Sequence, residues 1–388
     1  AMSYMTEERR MIQDSAREFA MKEVLPIANK LDPVQGEIPM SLRDKLAEMG
    51  YFGIIIPQEY GGLGLGCFEY CLITEELSRA WMSVASIVAR GNGLIGSRGM
   101  NEEQKKKYLT RMARGEYLGA FSMSEPNAGS DVANISCRAK RDGEGWLLTG
   151  NKYWCTFADG ADYLMVVART SEPPDPSRRH LGLSLFVIEK PRGTLPPGCQ
   201  GSPIPKIGYF GWKTWELAFD NCRLPPESLV GEEGKAFYLV TQGLEKARAH
   251  TAARAIGLAR GGLEDAMAYA RERVQFNQPI GDFQVTRFKL ARMATDIEAA
   301  RQLMYFVCDE IDSKRRCDKE AAMAKLFASE MAERVTSEAL QIFGGAGYTK
   351  LHAVERYWRD ARLTKIFEGT SEIQQRIISD HLLGKLAK

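Results

Sequence analysis

Apolar residues recur at helical spacing through the first third of the chain. In "MTEERRMIQDSAREFAMKEV" (5–24), Met11, Ala16, Phe19 and Val24 fall near one face with charges opposite, which predicts an amphipathic helix. "SLRDKLAEMGYFG" predicts a second helix, capped by Ser41 and stopped at Gly50. "NEEQKKKYLTRMARGE" repeats the pattern and ends at Gly115. From about residue 119 the period shifts to two. Apolar Ile135, Cys137 and Ala139 alternate with Ser136, Arg138 and Lys140 before a turn at "DGEG". "YLMVVART", "LSLFVIEK" and "TWELAFDNCRLP" read as further strands, with "SEPPDPSRRHLG" as a loop. Long helices return after about residue 232. Met293, Ile297, Ala300, Met304, Val307 and Ile311 are spaced by three and four, as are Ala328, Met331, Val335, Ala339 and Ile342, which predicts buried seams between packed helices. The pattern divides the chain into a helical segment (1–118), a β domain (119–228) and a helical segment (229–388), with no βαβ alternation and no internal repeat.

Composition narrows the function. The 388 residues are 44% hydrophobic and 26% charged, ordinary for a globular enzyme of two or three domains. Lys plus Arg (52) nearly balances Asp plus Glu (50), and no basic block stands out, so nucleic-acid binding has little support. No apolar run reaches the ~18–20 residues that span a bilayer. The start shows no signal-peptide pattern, and its Ala-Met reads as a cloning remnant. Eight cysteines lack a disulfide or CxxC spacing and read as reduced thiols of a cytoplasmic or mitochondrial-matrix protein. Four histidines without ligand spacing argue against a catalytic metal.

"GNGLIG" (91–96) matches G-x-G-x-x-G, but the residues that follow predict a charged helix and no second strand, so a dinucleotide fingerprint is not expected. Glycine-driven close packing is the simpler reading. Four other stretches are individually compatible with ordinary turns: "AFSMSEPNAGSD" (120–131), "NKYWCTFADGAD" (151–162), "ARERVQFNQPIGDFQ" (270–284) and "QIFGGAGY" (341–348). A fifth, "KIFEGTSEIQ" (365–374), sets Glu368 before a predicted helix start, where Ser371 and Gln374 fit a capping box.

Together and in this order, the five stretches resemble the acyl-CoA dehydrogenases over essentially the whole chain. The resemblance implies a mainly α fold with a β domain: an α-helical N-terminal domain, a middle β-barrel-like domain and a C-terminal four-helix bundle, as a homotetramer. It implies FAD. Phe121, Met123 and Ser124 match the strand lining the flavin. Gly129 and Ser130 match pyrophosphate contacts, with Ser130 also near substrate. Trp154 matches the residue beside the ring system, and Thr156 the hydroxyl at flavin N5. Arg273 matches a cation reaching the pyrophosphate from a neighbouring subunit, with Phe276 close by. Gln284, Gln341, Gly344 and Gly345 match contacts to the adenylate half, and Thr370 and Glu372 further FAD contacts. Asn277 and Arg287 depart from the glycine and glutamine usual at their positions.

Glu368 matches the family's base. Oxidation of an acyl-CoA to the 2,3-enoyl-CoA removes the α-proton and passes the β-hydride to the flavin. Hydrogen bonds to the thioester carbonyl stabilise the enolate-like charge, and burial beside an apolar chain makes a carboxylate a stronger base. The resemblance places one carbonyl donor at the base's own backbone N–H. An alternative base position falls on Ala247, which cannot serve. Arg248 matches the arginine near the thioester, and Gly369 accompanies Glu368 at the substrate. The resemblance also implies an electron-transferring flavoprotein as acceptor.

Substrate choice stays open. Arg90, in "AWMSVASIVARGNG", is either solvated or acid-paired, or else anchors a distal carboxylate. The arginine of the glutaryl-CoA branch falls at Met82, which weakens that identification. The glycines at 91, 93 and 96 would suit a branched or aromatic group. A dicarboxylic or aromatic acyl-CoA, glutaryl- or benzylsuccinyl-like, and an O2-using flavoenzyme on the same fold are the alternatives.

Overall fold

The computed structural model describes residues 3–93 and 99–387. Helix α1 (Glu7–Phe19) is capped by Thr6, whose hydroxyl accepts from Arg9 N–H at 3.1 Å. A wider π turn at Ala20–Val24 leads into α2 (Leu25–Leu31). Ala16, Phe19 and Val24 are buried as the pattern predicts, but Met11 is 67% exposed. It lies five positions before Ala16, about 140° round the helix. Helix α3 (Met40–Glu48) begins behind Pro39, so Ser41 sits inside the first turn instead of capping it. The proline's fixed φ presets that start.

Next come α4 (Cys67–Ala80), α5 (Met82–Ile87), α6 (Ala89–Asn92) and α7 (Glu102–Ala113). The "GNGLIG" motif ends in residues outside the described ones. Gly91, at its start, packs against backbone: a β-carbon there would lie 2.4 Å from the Phe52 carbonyl oxygen. The next element is α7, as expected, and not a strand.

The middle of the chain is one mixed eight-stranded sheet. Its strands are β1 (Gly119–Ser122), β2 (Arg138–Asp142), β3 (Gly145–Thr156), β4 (Tyr163–Arg169), β5 (Leu183–Glu189), β6 (Cys199–Pro203), β7 (Thr214–Leu224) and β8 (Leu229–Val230). The order is β6-β7-β3-β2-β4-β5-β8, with β1 added parallel to β4. Ile135, Cys137 and Ala139 point inward as their alternation predicts. Every residue of β4 is buried, and its sequence is apolar or aromatic up to the closing Arg169, whose guanidinium donates to backbone carbonyls. The sheet stands on a buried ion pair: Lys152 Nζ donates to Glu125 Oε2 at 2.7 Å and to the Met123 carbonyl at 2.8 Å. Glu125 also accepts from Ser136 N–H at 2.7 Å and Cys137 N–H at 3.1 Å. Desolvation pushes the Lys152 ammonium down from its ordinary value.

The helical C-terminal part holds α8 (Ala236–Thr241), α9 (Leu244–Glu272), a hairpin of β9 (Val274–Gln275) and β10 (Gln278–Pro279), α10 (Gln284–Asp312), α11 (Asp318–Phe343), α12 (Val354–Leu363) and α13 (Ser371–Leu383). The two seams are buried except for Ile311 and Ile342, which are half-buried at the helix ends. Helix α9 is buried on all sides from Arg248 to Gly262. It is fixed to α4 by charge as well as packing: Arg260 donates to Glu75 at 2.6 Å and Arg301 to the same carboxylate at 2.9 Å. Arg17 of α1 reaches Glu76 at 3.0 Å. Such buried pairs fix how the helices register on one another. All eight cysteines are free and buried. Among the described residues one group has metal-ligand spacing: the sulfur atoms of Cys67, Cys71 and Cys308 lie within 4.8 Å of one another, where α4 meets α10. No described helix is long and apolar enough to cross a membrane.

Candidate active site

Glu368 lies on the short loop between α12 and α13, with left-handed backbone (φ 53°), and Gly369 beside it is left-handed too (φ 90°). Two successive residues of this kind make a sharp reversal that aims the carboxylate back at α9. The loop is held from below. Fully buried Lys325 donates to the carbonyls of Thr364 (2.7 Å) and Gly369 (2.6 Å), and Gln374 donates to Gly369 at 3.1 Å. Burial pushes the Lys325 ammonium down to about 8. The cap of α13 is Thr370, whose hydroxyl accepts from Ile373 N–H at 3.2 Å. Ser371 therefore occupies the first helical position, its hydroxyl buried without a partner among the described residues, and Gln374 serves the loop and not a capping box. The backbone N–H of Glu368 donates to no acceptor among the described residues.

Glu368 meets a buried cation. Its side chain is 43% exposed and is ion-paired to Arg254, which is only 3% exposed. Arg254 also donates to Ser86 Oγ at 2.9 Å and Thr251 Oγ1 at 3.0 Å. Its guanidinium lies over the Phe367 ring, 4.8 Å from the centroid. Thr251 donates to Glu368 at 3.2 Å. Phe367 meets Tyr209 edge-on at 5.7 Å. Sequence reasoning missed Arg254. The available signal was a lone charge inside "TAARAIGLA", where a helix apolar on all sides leaves it no route to water.

Arg248, one turn before Thr251, is buried, and desolvation pushes its guanidinium down although Asp318 and Glu245 oppose that shift. Arg90 keeps part of its surface in water. It is half-buried and stacked 5.0 Å over Trp212, and it makes no ion pair among the described residues. Met82 is completely buried.

A second group of expected residues gathers on the sheet. Phe121, Met123 and Ser124 are half-buried at and just beyond β1. Trp154 sits where the β3–β7 register slips, with φ 61°, and its indole is 55% exposed. The bulge turns a large ring out of the sheet. Thr156 shares a 3.0 Å hydrogen bond with Thr214, which accepts from Lys206 at 2.9 Å. Gly129 and Ser130 are exposed, and a β-carbon at Gly129 would meet nothing within 4 Å. Packing therefore does not require glycine there.

Models of the acyl-CoA dehydrogenase N-terminal, middle and C-terminal domains match residues 6–116, 120–222 and 234–383. The chain belongs to the acyl-CoA dehydrogenase family. It is similar to an acyl-CoA dehydrogenase of Bacillus subtilis, 40% identical over 385 residues, covering 98% of this chain and 99% of that one. Butyryl-CoA dehydrogenase from Megasphaera elsdenii superposes with TM-score 0.91 at 34% identity, covering 99% of this chain and all of that one. A chain from the solved structure described as the electron transferring flavoprotein of Acidaminococcus fermentans gives TM-score 0.91 at 38% identity, with 99% and 100% coverage. This acyl-CoA dehydrogenase is an FAD-dependent oxidoreductase that converts an acyl-CoA thioester to its 2,3-enoyl form.

A third group stands apart from the first two. Arg273 caps the far end of α9, 19 positions after Arg254, or about 28 Å along the helix. It is exposed and makes no ion pair among the described residues. Phe276 is 87% exposed at the hairpin tip with φ 53°, followed by Asn277 at φ 62°. Asparagine tolerates that region, which explains how it replaces a glycine. Arg287 donates to the Gly281 carbonyl at 3.4 Å. Gln284, Gln341, Gly344 and Gly345 are exposed, and a β-carbon at either glycine would meet nothing within 4 Å. Glu372 is exposed in the first turn of α13.

Proposed function

We propose that Glu368 is the base that removes the α-proton of the acyl thioester. What carries this reading is that one left-handed residue offers both a carboxylate facing the buried helix α9 and an unengaged backbone N–H. The N–H would donate to the thioester carbonyl while the carboxylate takes the proton, so the charge developing on the carbonyl is met by a fixed dipole. Bound FAD supplies the hydride acceptor. Phe121, Met123, Ser124, Trp154 and Thr156 would line its ring system, with Gly129 and Ser130 toward the pyrophosphate and Thr370 and Glu372 at the α13 start. Arg248 would sit at the thioester end and Gly369 beside it. The exposed Trp154 and the open glycines support these placements. The chain's divisions would fall at 118/119 and 228/229.

Arg273, Phe276, Gln284, Gln341, Gly344 and Gly345 would serve the FAD of a neighbouring subunit, within a homotetramer. The support is the distance of Arg273 along α9 from the Glu368 group and the exposure of all six residues. An electron-transferring flavoprotein would take the electrons, as the Acidaminococcus likeness suggests. The eight unpaired thiols favour a reducing compartment, the cytoplasm in a bacterium.

Anaerobic flavin bleaching tests the reading. The purified protein should bleach on adding its acyl-CoA. Glu368→Gln should keep the flavin absorbance and lose the bleaching. Full bleaching by Glu368→Gln would overturn the assignment.

A further inference from the structure

We infer that Lys206 is a positioning residue for the hydride step: it fixes the direction of a hydrogen-bond chain so that Thr156 offers its hydroxyl hydrogen outward, to the flavin. The inference rests on Thr156 lying beside the flavin ring, as proposed above.

The chain has three members. Lys206 Nζ donates to Thr214 Oγ1 at 2.9 Å. Thr214 and Thr156 are partners across the β3–β7 pair, their hydroxyl oxygens 3.0 Å apart. By distance alone either hydroxyl could donate to the other, and the lysine decides between them. An ammonium has hydrogens and no lone pair, so it only donates. Burial pushes the Lys206 ammonium down to about 8, with Asp360 opposing the shift, so it keeps its charge at neutral pH. Thr214 is 4% exposed, and among the described residues its hydroxyl meets only Lys206 and Thr156. Its single hydrogen therefore has one acceptor, Thr156 Oγ1, and any other arrangement buries an unused donor. Thr156 accepts that hydrogen, so its own hydrogen points elsewhere. Thr156 is half-buried, and no described residue accepts that second hydrogen. The protein thus leaves an oriented donor open for a ligand's acceptor atom.

The lysine itself is held in place. Its other hydrogens go to the carbonyls of Tyr209 at 3.0 Å and Trp212 at 3.5 Å. Tyr209 has left-handed backbone (φ 58°), and its N–H donates to Asp360 at 2.8 Å. The loop 206–214 closes round the ammonium and aims it at Thr214. One cation and two hydroxyl dipoles then point their positive ends the same way. Hydride transfer brings an electron pair to the flavin. A fixed charge with aligned dipoles behind it stabilises that arriving charge without reorienting.

The test measures the reduction potential of the bound FAD at pH 7 by equilibration with a reference dye. Lys206→Met should lower it by tenfold or more in the reduction equilibrium, about 30 mV for a two-electron couple. Lys206→Arg keeps a cation that only donates and should restore most of the shift. Thr214→Val removes the relay and leaves the lysine. It should also lower the potential, and Lys206→Met should shift it less in that background than in the wild type. Should Lys206→Met lose its FAD, Thr214→Val carries the test. Thr156→Val separates the two readings. An unchanged potential and visible spectrum in Thr156→Val would overturn the placement of Thr156 and this inference with it. A shift in Thr156→Val, with none in Lys206→Met or Thr214→Val beyond a lower melting temperature, would overturn the relay and leave the placement standing.

Discussion

Arg254, on the buried part of α9, donates through Nη2 to Oε2 of Glu368, 114 positions further along the chain. The pair joins a fixed cation to a carboxylate whose outer side is wet. Because Glu368 is 43% exposed, water screens the pair, and its net worth is under about 1 kcal/mol. Glu368→Gln keeps an acceptor oxygen for Arg254. We expect thermal melting of the holoenzyme to shift little, while the flavin reduction rate in stopped flow falls by about 10²–10⁴-fold or more. Parallel loss of both would assign Glu368 to structure and not to chemistry.

Lys325 holds the loop that aims Glu368. Lys325→Met removes the lysine's donor from the buried Thr364 carbonyl, at about 1–3 kcal/mol, and leaves the Gly369 carbonyl to Gln374 alone. Reduction should slow even though position 325 is not the base. The lysine's folded value of about 8 lies below its ordinary 10.5. The unfolded chain therefore holds the proton more tightly, and the wild type gains stability as pH rises from about 8 to 10.5. Denaturant titrations of wild type and Lys325→Met should diverge across that window. Parallel curves would show that the lysine does not titrate there.

Lys152 and Glu125 support the strand end carrying Met123. Their side chains are 0% and 4% exposed. Lys152→Met leaves Glu125 charged and buried, at about 3–5 kcal/mol, and frees the Met123 carbonyl. The variant should unfold at lower urea and purify with less FAD. Adding Glu125→Gln should recover part of the stability. Strictly additive losses would mean that the two residues do not act as a pair.

Asp360 is fully buried, and its Oδ1 accepts from Tyr209 N–H at 2.8 Å, while Oδ2 has no partner among the described residues. Desolvation, helped by Asp32, raises its carboxyl from 3.8 to about 6. The folded state binds the proton more tightly, so this group's stabilisation is full below pH 3.8 and is lost as pH rises through about 6. Asp360→Asn keeps the acceptor for Tyr209 and should flatten the pH dependence of melting over that window. An unchanged slope would locate the titration elsewhere.

Much of this was readable along the chain. Ile135, Cys137 and Ala139 face inward because a strand's period is two whatever it packs against. The seams of α10 and α11 follow for the same kind of reason, with a period set by the helix. Errors fell where one residue decided a boundary. Ser41 and Ser371 are good caps by type, but Pro39 and Thr370 sit one or two places earlier and take the position. Arg90 was open to three readings because sequence cannot say which ring or acid faces a side chain.

Taken alone, the amino-acid sequence determined the order of helical, β and helical segments, and that one glutamate precedes the last helix. These are local matters of period, turn chemistry and residue type. Only the tertiary structure decided that Glu368 meets Arg254, that Ser86 shares that arginine, and that Arg90 stacks on Trp212. Those neighbours are set by how α4, α5 and α9 pack and by the buried charges that lock them. Their separations of up to 168 positions leave no trace in local spacing.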